Sequence, residues 1–363
     1  MKTYLVTLFI VLMHASSAAQ ELSLETAFEP TVNETSGLLF LNNTLITHND
    51  SSNSNALYDI DVATGLVTRA VIINNATNID WEDLTHDDTY IYIGDFGNYL
   101  GSRQDLKIYR ISILDYFNSA SVTADIINFS YGDQTNFTPA PLATNFDAEG
   151  LIHFNTMLYI FSKNWLDGKT NIYQVPKNPG TYSVSKTDTF NVFGLVSGAT
   201  YNPLSSTVML CGYDNVGAFI IELSSFTNGL FSNGDSMKTY LNIPTNYSDQ
   251  IEAITPIDSL DYFISAEENS NLAAGLYRFE GSTLAVQLYE SDSVLFYPNP
   301  ADQEISINFK DTQSSIFAIT GQVLKTSSQN RIDISDLSSG MYWIKMQQRG
   351  AQTYIIKPLV IKH

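Results

Sequence analysis

Acidic side chains recur at short spacing along the middle of the chain. Asp80 and Glu82 form one Asp-x-Glu pair, Asp147 and Glu149 form a second, and Glu252 stands at the corresponding position further on. Residues two apart in a β-strand share a face, so each pair would present two oxygen ligands side by side. Ca²⁺ prefers several oxygen ligands in a flexible arrangement. We therefore expect these five residues to bind Ca²⁺. The alternative is that the glutamates accept hydrogen bonds from backbone donors of neighbouring strands.

Two further residues are candidates for contact with a ligand. Lys163 comes at the end of a predicted strand and is the basic residue best placed to hold a phosphate group beside calcium. Trp165 follows in a loop, where an exposed indole would offer a stacking surface to a sugar ring. The alternative for Trp165 is burial in an aromatic-rich core.

Histidines and serines in the same segments suggest other chemistry. His86 and His153 each follow a glutamate by four residues, so two Glu/His pairs could form a zinc or iron site. No third histidine stands in register, which favours packing between strands instead. Ser36 and Ser197 each precede a glycine but lie outside any Gly-x-Ser-x-Gly elbow, which argues against a serine hydrolase.

These residues belong to a repeated phrase that is followed each time by short alternating strands. The copies of the phrase are Thr35–Leu38, Trp81–Leu84, Ala148–Leu151, Val196–Ala199 and Ile251–Ile254. Their second residues are Ser36, Glu82, Glu149, Ser197 and Glu252, which are separated by 46, 67, 48 and 55 positions. Four strands per repeat at this spacing predict the blades of a five-bladed β-propeller, with an array of β-sandwiches as the alternative. First strands of blades line the central channel, so the carboxylates should converge near its axis. The strand-like segment Leu22–Phe28 would either close the ring or begin a sixth blade.

The beginning of the chain has the pattern of a secretion signal. Lys2 precedes the apolar run Tyr4–Met13, and Ser17 and Ala19 are small residues suited to cleavage. We expect residues 1–19 to be a signal peptide and residues 20–291 to be the propeller. The alternative is a membrane anchor, which needs a longer apolar run, and no later segment reaches that length.

The last part of the chain has a different pattern. Residues 292–363 contain short strands separated by Gly, Pro and Ser turns, which predicts a small Ig-like β-sandwich. Tyr297-Pro298-Asn299-Pro300, Gly321–Val323 and the stretch Ile332–Tyr342 follow in that order. These motifs resemble the type A C-terminal sorting domain of type IX secretion cargo. The resemblance implies recognition by the type IX translocon, a place outside the cell or on its outer surface, and attachment to surface lipopolysaccharide.

Charge is distributed unevenly between the two predicted domains. The chain has 38 acidic and 18 basic residues, a net charge of −20, yet residues 292–363 hold seven bases and six acids. Residues 20–291 therefore carry the acidity, and a field of this sign repels nucleic-acid phosphates. The single cysteine, Cys211, excludes a disulfide framework and cysteine-based zinc sites.

The middle of the chain also resembles known proteins. Residues 79–98, 145–165, 196–203 and 250–256 are similar to secreted bacterial propeller proteins that usually carry the same sorting domain. They are more distantly similar to the phytase-like and esterase-like propeller superfamily. Two functions remain open. The first is a non-catalytic module that binds a glycan, peptide or matrix component, and the second is a calcium-dependent phosphoester or ester hydrolase.

Overall fold

The computed structural model describes residues 20–242, 251–268, 273–281, 296–308, 312–318, 323–348 and 354–363. The expected signal peptide lies outside the described residues. The described chain consists mainly of β-strands, with one short α-helix at Ile113–Asn118 and 3-10 turns at Pro30–Val32 and Phe231–Asn233. The all-β class predicted from the sequence is confirmed. No helix in these ranges is long and apolar enough to cross a membrane.

The chain separates into two compact units, residues 1–281 and 282–363. Within its described residues, the first unit contains five sheets, each built on four antiparallel strands. The first sheet is formed by Thr35–Leu41, Thr44–Asn49, Ala56–Ile60 and Val67–Ile73; the second by Trp81–His86, Tyr90–Asp95, Lys107–Ser112 and Asp125–Tyr131; the third by Asp147–Phe154, Met157–Lys163, Thr170–Pro176 and Lys186–Phe190; the fourth by Leu195–Asn202, Thr207–Tyr213, Ala218–Ser224 and Asp235–Asn242; and the fifth by Ile251–Pro256, Tyr262–Ala266, Gly275–Phe279 and Ser23–Ala27.

Three short strands pair in parallel with the outer edges of these sheets. Ser121–Val122 joins the first sheet, Gly180–Val184 joins the second, and Gln20–Glu21 joins the fourth. Ser121–Val122 comes from the connection between the third and fourth strands of the second sheet, and Gly180–Val184 from the corresponding connection of the third sheet. Gln20–Glu21 directly precedes Ser23–Ala27 of the fifth sheet. All three cover edges that would otherwise expose unpaired backbone groups.

The first strands of the five sheets form a closed cycle of contacts. Each packs against the first strand of the next sheet, and that of the fifth sheet returns to that of the first. Ser36 Oγ donates to the Glu82 carbonyl at 2.7 Å, and the Phe40 amide donates to Thr255 Oγ1 at 3.1 Å. The first strands therefore surround a common centre.

Every first strand contains a β-bulge at the repeated phrase. The pairing register shifts between Trp81 and Leu84 and between Ala148 and Gly150, and likewise in the other three sheets. A bulge places two residues opposite one, which reverses the alternation of faces beyond it. A regular strand would place Glu82, Leu84 and His86 on one face, as a Glu82/His86 metal pair requires, and the bulge breaks this alternation.

Glycines at the bulges allow the first strands to approach one another closely. A Cβ on Gly150 would lie 2.7 Å from the Ala199 Cβ, and one on Gly198 would lie 2.5 Å from the Glu252 carbonyl oxygen. Even a methyl group would push these strands apart. The glycines of the repeated phrase thus leave the space in which neighbouring first strands approach one another at the centre of the cycle.

The fifth sheet is completed by the beginning of the described chain. Ser23–Ala27 pairs antiparallel with Gly275–Phe279, from the other end of the unit. Leu22, just before this strand, is buried in the core shared by the fourth and fifth sheets. The segment therefore completes the fifth sheet instead of starting another.

Apolar cores fill the spaces between adjacent sheets. Trp81 is fully buried between the first and second sheets, where its ring contacts those of His48 and Tyr109. Its place between sheets agrees with its position next to Glu82 at the start of a first strand. This packing fixes the angle between sheets and hence the positions of the strand ends.

The second unit has two sheets that share one apolar core. The smaller sheet comprises Phe296–Tyr297, Glu304–Ile307 and Arg331–Asp333; the larger comprises Val323–Ser327, Thr312–Ala318, Gly340–Gln348 and Tyr354–Ile361. Ile305 and Ile332 from the smaller sheet pack with Ile316 and Ile344 from the larger one. The unit therefore buries its own core.

Candidate functional site

A cavity of about 310 Å³ lies where the first strands begin, and we call it the acidic cavity. It contains all five carboxylates predicted to bind a metal and both residues predicted to contact a ligand. Its walls are formed by Ser36, Asp50, Ser51, Asp80, Glu82, Tyr99, Leu142, Asp147, Glu149, Lys163, Trp165, Glu252 and Glu267. Seven carboxylates thus face a single ammonium group.

Antiparallel pairing explains why these residues meet. The start of each first strand lies beside the end of the second strand, so both contribute to the same end of the cycle. Asp80, Glu82, Asp147, Glu149 and Glu252 come from the starts of first strands. The ends of second strands contribute three more residues. Lys163 is the last residue of its strand, and Asp50 and Glu267 directly follow theirs.

Asp50, Asp80 and Glu82 form the tightest group in the acidic cavity. One carboxylate oxygen from each lies within 4.8 Å of the others. Asp50 extends from the first sheet, whereas Asp80 and Glu82 come from the second. Asp50 was missed in the sequence, although it occupies the same position after its second strand as Glu267 does.

Glu82 is almost enclosed, with 8% of its surface exposed. Its carboxylate accepts no hydrogen bond from the described residues, and it lies against the backbone of Gly97. A Cβ on Gly97 would lie 1.9 Å from Glu82 Oε1 and 2.5 Å from Asp80 Oδ2. Burial, followed by the negative charges of Glu149 and Asp50, raises the pKa of Glu82 well above its usual value. This carboxylate lacks a positive partner.

Burial also raises the pKa values of the other acids here. It brings that of Asp80 to about 7, with Asp50 adding repulsion, and that of Glu252 to about 7. Burial and the charge of Glu252 together raise the pKa of Glu267 to about 9. These carboxyl groups therefore hold their protons to higher pH than free acids do.

The opposite wall of the acidic cavity is internally paired. Asp147 accepts hydrogen bonds from the Asn98 amide at 2.5 Å and from Trp165 Nε1 at 2.7 Å. Glu149 Oε1 lies 3.2 Å from Lys163 Nζ. Burial alone would lower the pKa of Lys163, but the negative charges of Glu149 and Glu252 outweigh it and raise the pKa. Lys163 is therefore a charged, buried partner of Glu149.

Two aromatic rings flank the Lys163 ammonium group. Its Nζ lies 5.3 Å from the centre of a Trp165 ring and 5.4 Å from that of Tyr213. Trp165 is partly buried and its indole N–H is bound to Asp147. The ring is thereby fixed at the cavity wall.

Asp83 has the structural role that the sequence suggested as the alternative for the glutamates. Its buried carboxylate accepts hydrogen bonds from the amides of Leu84 at 2.8 Å, Leu151 at 2.8 Å and Ala199 at 3.2 Å. It thus joins the first strands of the second, third and fourth sheets. In a regular strand, the Asp83 and Glu82 side chains would point to opposite faces. The bulge instead turns the Asp83 side chain towards the centre of the cycle of first strands.

The histidines lie at the other end of the first strands, in a cavity of about 250 Å³. His86 Nδ1 is 3.0 Å from the Asp87 carbonyl, whereas His153 Nε2 is buried without a partner. Burial lowers the pKa of His153. Within the described ranges, these histidines join no cluster of three ligating groups. The zinc or iron alternative therefore lacks a third ligand here.

Other polar residues near the ends of the strands are already paired. Asp95, which ends the second strand of the second sheet, is buried and lies 2.9 Å from Arg103. Asp214 pairs with Lys238 at 2.6 Å. Ser197 Oγ donates to the Ile251 carbonyl and Ser36 Oγ to that of Glu82, so both hydroxyls connect neighbouring first strands.

The second unit matches a known family. Residues 295–362 match the secretion system C-terminal sorting domain, which confirms the resemblance seen in the sequence. This part of the chain is a type IX sorting domain, and the protein is exported to the cell surface or beyond. No curated protein is significantly similar to the chain.

Several solved structures are distantly similar to the chain. PorZ, a surface component of the type-IX secretion system of Porphyromonas gingivalis, is 12% identical with a TM-score of 0.37, over 91% of this chain and 45% of PorZ. The extracellular domain of a putative hybrid two-component system from B. thetaiotaomicron is 11% identical with a TM-score of 0.35, over 91% of this chain and 50% of that one. A putative 6-phosphogluconolactonase from Bacteroides uniformis is 9% identical with a TM-score of 0.34, over 86% and 95%. The chain spans about half of the first two structures.

Proposed function

We propose that this exported protein is a non-catalytic binding module whose acidic cavity holds Ca²⁺. In this proposal the five sheets are the blades of a five-bladed propeller, and the second unit is an Ig-like sandwich that serves as the address. The observation that carries the proposal is the group of Asp50, Asp80 and Glu82, with ligand oxygens within 4.8 Å of one another.

The donor set suits Ca²⁺ better than a transition metal. Three carboxylates converge, and no imidazole or thiolate lines the acidic cavity. Hard oxygen ligands favour Ca²⁺, whose flexible coordination also admits water molecules in the remaining positions. A dication would supply the positive partner that Glu82 lacks and would relieve repulsion between the carboxylates.

The paired state of the basic residues favours binding over phosphoester hydrolysis. A phosphatase needs cations free to hold the transferred phosphate. Lys163 is already bound to Glu149, and Arg103 is bound to Asp95 and Asp105. Ser36, one of the hydroxyl-bearing residues of the cavity wall, donates to a backbone carbonyl. The calcium-dependent hydrolase stays a prediction that a substrate screen can test.

Calcium titration of the chelator-treated protein by calorimetry tests the proposal. We expect one site, and we expect Glu82→Gln to weaken binding by about tenfold or more, since one charged ligand is lost. Asp235→Asn, which removes an exposed acid outside the acidic cavity, is the control and should bind normally. At a hundredfold excess over Kd, calcium should add about 2.7 kcal/mol of stability. Absence of binding and of any calcium-dependent rise in Tm would refute the metal site.

A phosphatase and esterase screen, with and without chelator, distinguishes the two functions. We expect no turnover above that of the Glu82→Gln protein. Calcium-dependent turnover that this variant abolishes would contradict a purely binding role.

A further inference from the structure

We infer that the ligand of this binding module is a peptide segment in which a lysine or arginine is followed by an apolar residue. The inference rests on the proposed binding function and names the chemistry of its partner. It combines the charge of the acidic cavity with a neighbouring groove whose wall is partly apolar.

The groove is a cavity of about 630 Å³ that shares Trp165 with the acidic cavity. Phe193, Leu195 and Tyr213 form an apolar part of its wall, and Asp214 and Asn215 form a polar part. Trp165 therefore stands between a negatively charged space and a groove with a partly apolar wall. A ligand that crosses this boundary needs a cationic part and an apolar part.

Three loops near the groove each present an exposed apolar side chain. Phe193 is 74% exposed, and Leu166 and Val216, next to groove residues in sequence, are 65% and 75% exposed. Exposed apolar side chains beside a cavity, of which Phe193 lines the groove itself, indicate an interaction site. Burying them on a ligand would contribute favourable free energy in proportion to the apolar area covered.

Polar contacts hold Phe193 in its exposed position. Lys238 Nζ donates to the carbonyls of Val192 and Phe193, each at 3.2 Å, and to Asp214 Oδ2 at 2.6 Å. Phe193 itself has a left-handed backbone with φ of 51°. The partly buried Lys238 and its three acceptors thus hold this loop in the conformation that exposes the Phe193 side chain. Such preorganisation lowers the entropic cost of binding.

The acidic cavity selects a cation for the other part of the ligand. Seven carboxylates face one ammonium group, so a single bound Ca²⁺ leaves an excess of negative charge. Glu82, 8% exposed and without a donor among the described residues, points to an absent cation independently of this count. Lys163 shows how an ammonium group is accommodated here, between two rings and against Glu149.

Charge also distinguishes a peptide from surface polysaccharides. Anionic glycans and lipopolysaccharide phosphates would be repelled by these carboxylates. Neutral glycans could stack on Trp165 but would gain nothing from the charge, and the aliphatic Leu166 and Val216 offer them no stacking surface. A peptide with a basic and an apolar residue would place its charge in the acidic cavity and its apolar side chain in the groove.

Fluorescence anisotropy with labelled peptides tests the inference. The probe is the fluorescein-labelled hexapeptide Gly-Ser-Arg-Phe-Ser-Gly, at about 0.15 M salt and with calcium present. We expect saturable binding that falls about tenfold when the arginine is replaced by glutamate or the phenylalanine by serine. Equal binding of the glutamate peptide would overturn the inference.

Protein variants locate the binding to the groove. Phe193→Asn, which keeps a residue suited to the left-handed backbone, and Glu267→Gln should each weaken probe binding about fivefold without lowering Tm. Leu204→Ser removes an equally exposed apolar side chain, 70% exposed, beside the histidine end and should bind normally. Equal losses in all three variants would overturn the inference.

The two proposals fail in different ways. Calcium binding without probe binding would refute the peptide ligand and leave the metal-binding module intact. Binding of a neutral oligosaccharide that Phe193→Asn abolishes, with no binding of the probe, would refute the peptide and identify a glycan instead. Failure of calorimetric calcium binding would refute the metal site, whatever the probe does.

Discussion

Glu82 and Asp83 are neighbours in sequence with opposite surroundings. Asp83 meets three backbone N–H groups, whereas Glu82 meets other carboxylates and no donor in the described structure. The β-bulge separates the two side chains, because it gives both of them a place opposite one residue of the second strand. One acid therefore stabilises the centre of the cycle, and the other remains available to a ligand.

The role of Asp83 predicts a loss of stability when its second oxygen is replaced. In Asp83→Asn, the amide group offers one acceptor oxygen and turns an N–H₂ towards backbone donors. At least one buried N–H then loses its partner, which costs about 1–3 kcal/mol of unfolding free energy. Urea unfolding measures the change, and Asp88→Asn, at an exposed position on the same segment, is the control. Equal stability of the two variants would contradict the role assigned to Asp83.

The raised pKa values in the acidic cavity predict a dependence of stability on pH. Asp80, Glu252 and Glu267 hold their protons to higher pH in the folded state than in the unfolded state, with folded pKa values of about 7, 7 and 9. The folded state then binds more protons, so its stability falls as pH rises through these values. His48 acts in the other direction, since burial lowers its pKa to about 4 and stability is lost as pH falls below about 6.5.

Without divalent cations, the melting temperature should therefore decrease between about pH 6.5 and 9. Calcium should remove most of this decrease, because a bound dication stabilises the ionised carboxylates. Melting curves across pH, in chelator and in calcium, measure both effects, and Glu267→Gln should flatten the chelator curve at its alkaline end. A chelator curve that rises with pH would show that these carboxylates ionise freely.

Regular elements were predictable from the sequence, but the irregular position within each was not. The repeated phrase and the alternating strands predicted an all-β chain. They also predicted that the acids of the phrase converge, and the structure has them in one cavity: Asp80, Glu82, Asp147, Glu149 and Glu252. The bulges depend on how closely the first strands approach one another, which the alternation of residues within one strand does not show. His86 and His153 lie at the opposite end from the acids because each follows its glutamate by four residues along the strand. Asp50 was not predicted, because the first copy of the phrase carries serine in place of glutamate.

At the scale of elements, the strand Ser23–Ala27 and the residue before it attach the start of the unit to its end. Leu22 is buried between the fourth and fifth sheets, whereas Leu24 is exposed. Leu22→Ala should therefore lower the unfolding free energy by about 2–5 kcal/mol, as is usual for a buried leucine. Leu24→Ala is the matched control and should change it by less than about 0.5 kcal/mol. Similar small effects in both variants would show that this attachment contributes little.

The whole molecule combines an acidic first unit with a sorting domain that buries its own core. The apolar clusters of the first unit contain no residue beyond Phe279, and the core of the second unit lies within residues 296–361. Folding of the first unit should therefore not depend on the sorting domain, whereas export should.

Deleting residues 294–363 should leave the melting temperature of the first unit nearly unchanged and retain the protein in the periplasm. Calorimetry on the purified fragment measures the first expectation, and cell fractionation with the full-length protein as control measures the second. Normal amounts of the truncated protein at the cell surface would contradict the address function of the second unit.

The pairing of Ser23–Ala27 with Gly275–Phe279 has a consequence for the order of events during synthesis. A ribosome delivers the first of these strands early and the second only when nearly the whole unit has been translated. Contacts between such distant segments form slowly, because the entropy of closing a long loop is lost before the contacts contribute any favourable free energy. The fifth sheet therefore cannot be completed until residues 275–279 have been translated, and the cycle of sheets stays open until then. A growing polypeptide of this kind should remain able to pass through a narrow channel until that strand has emerged.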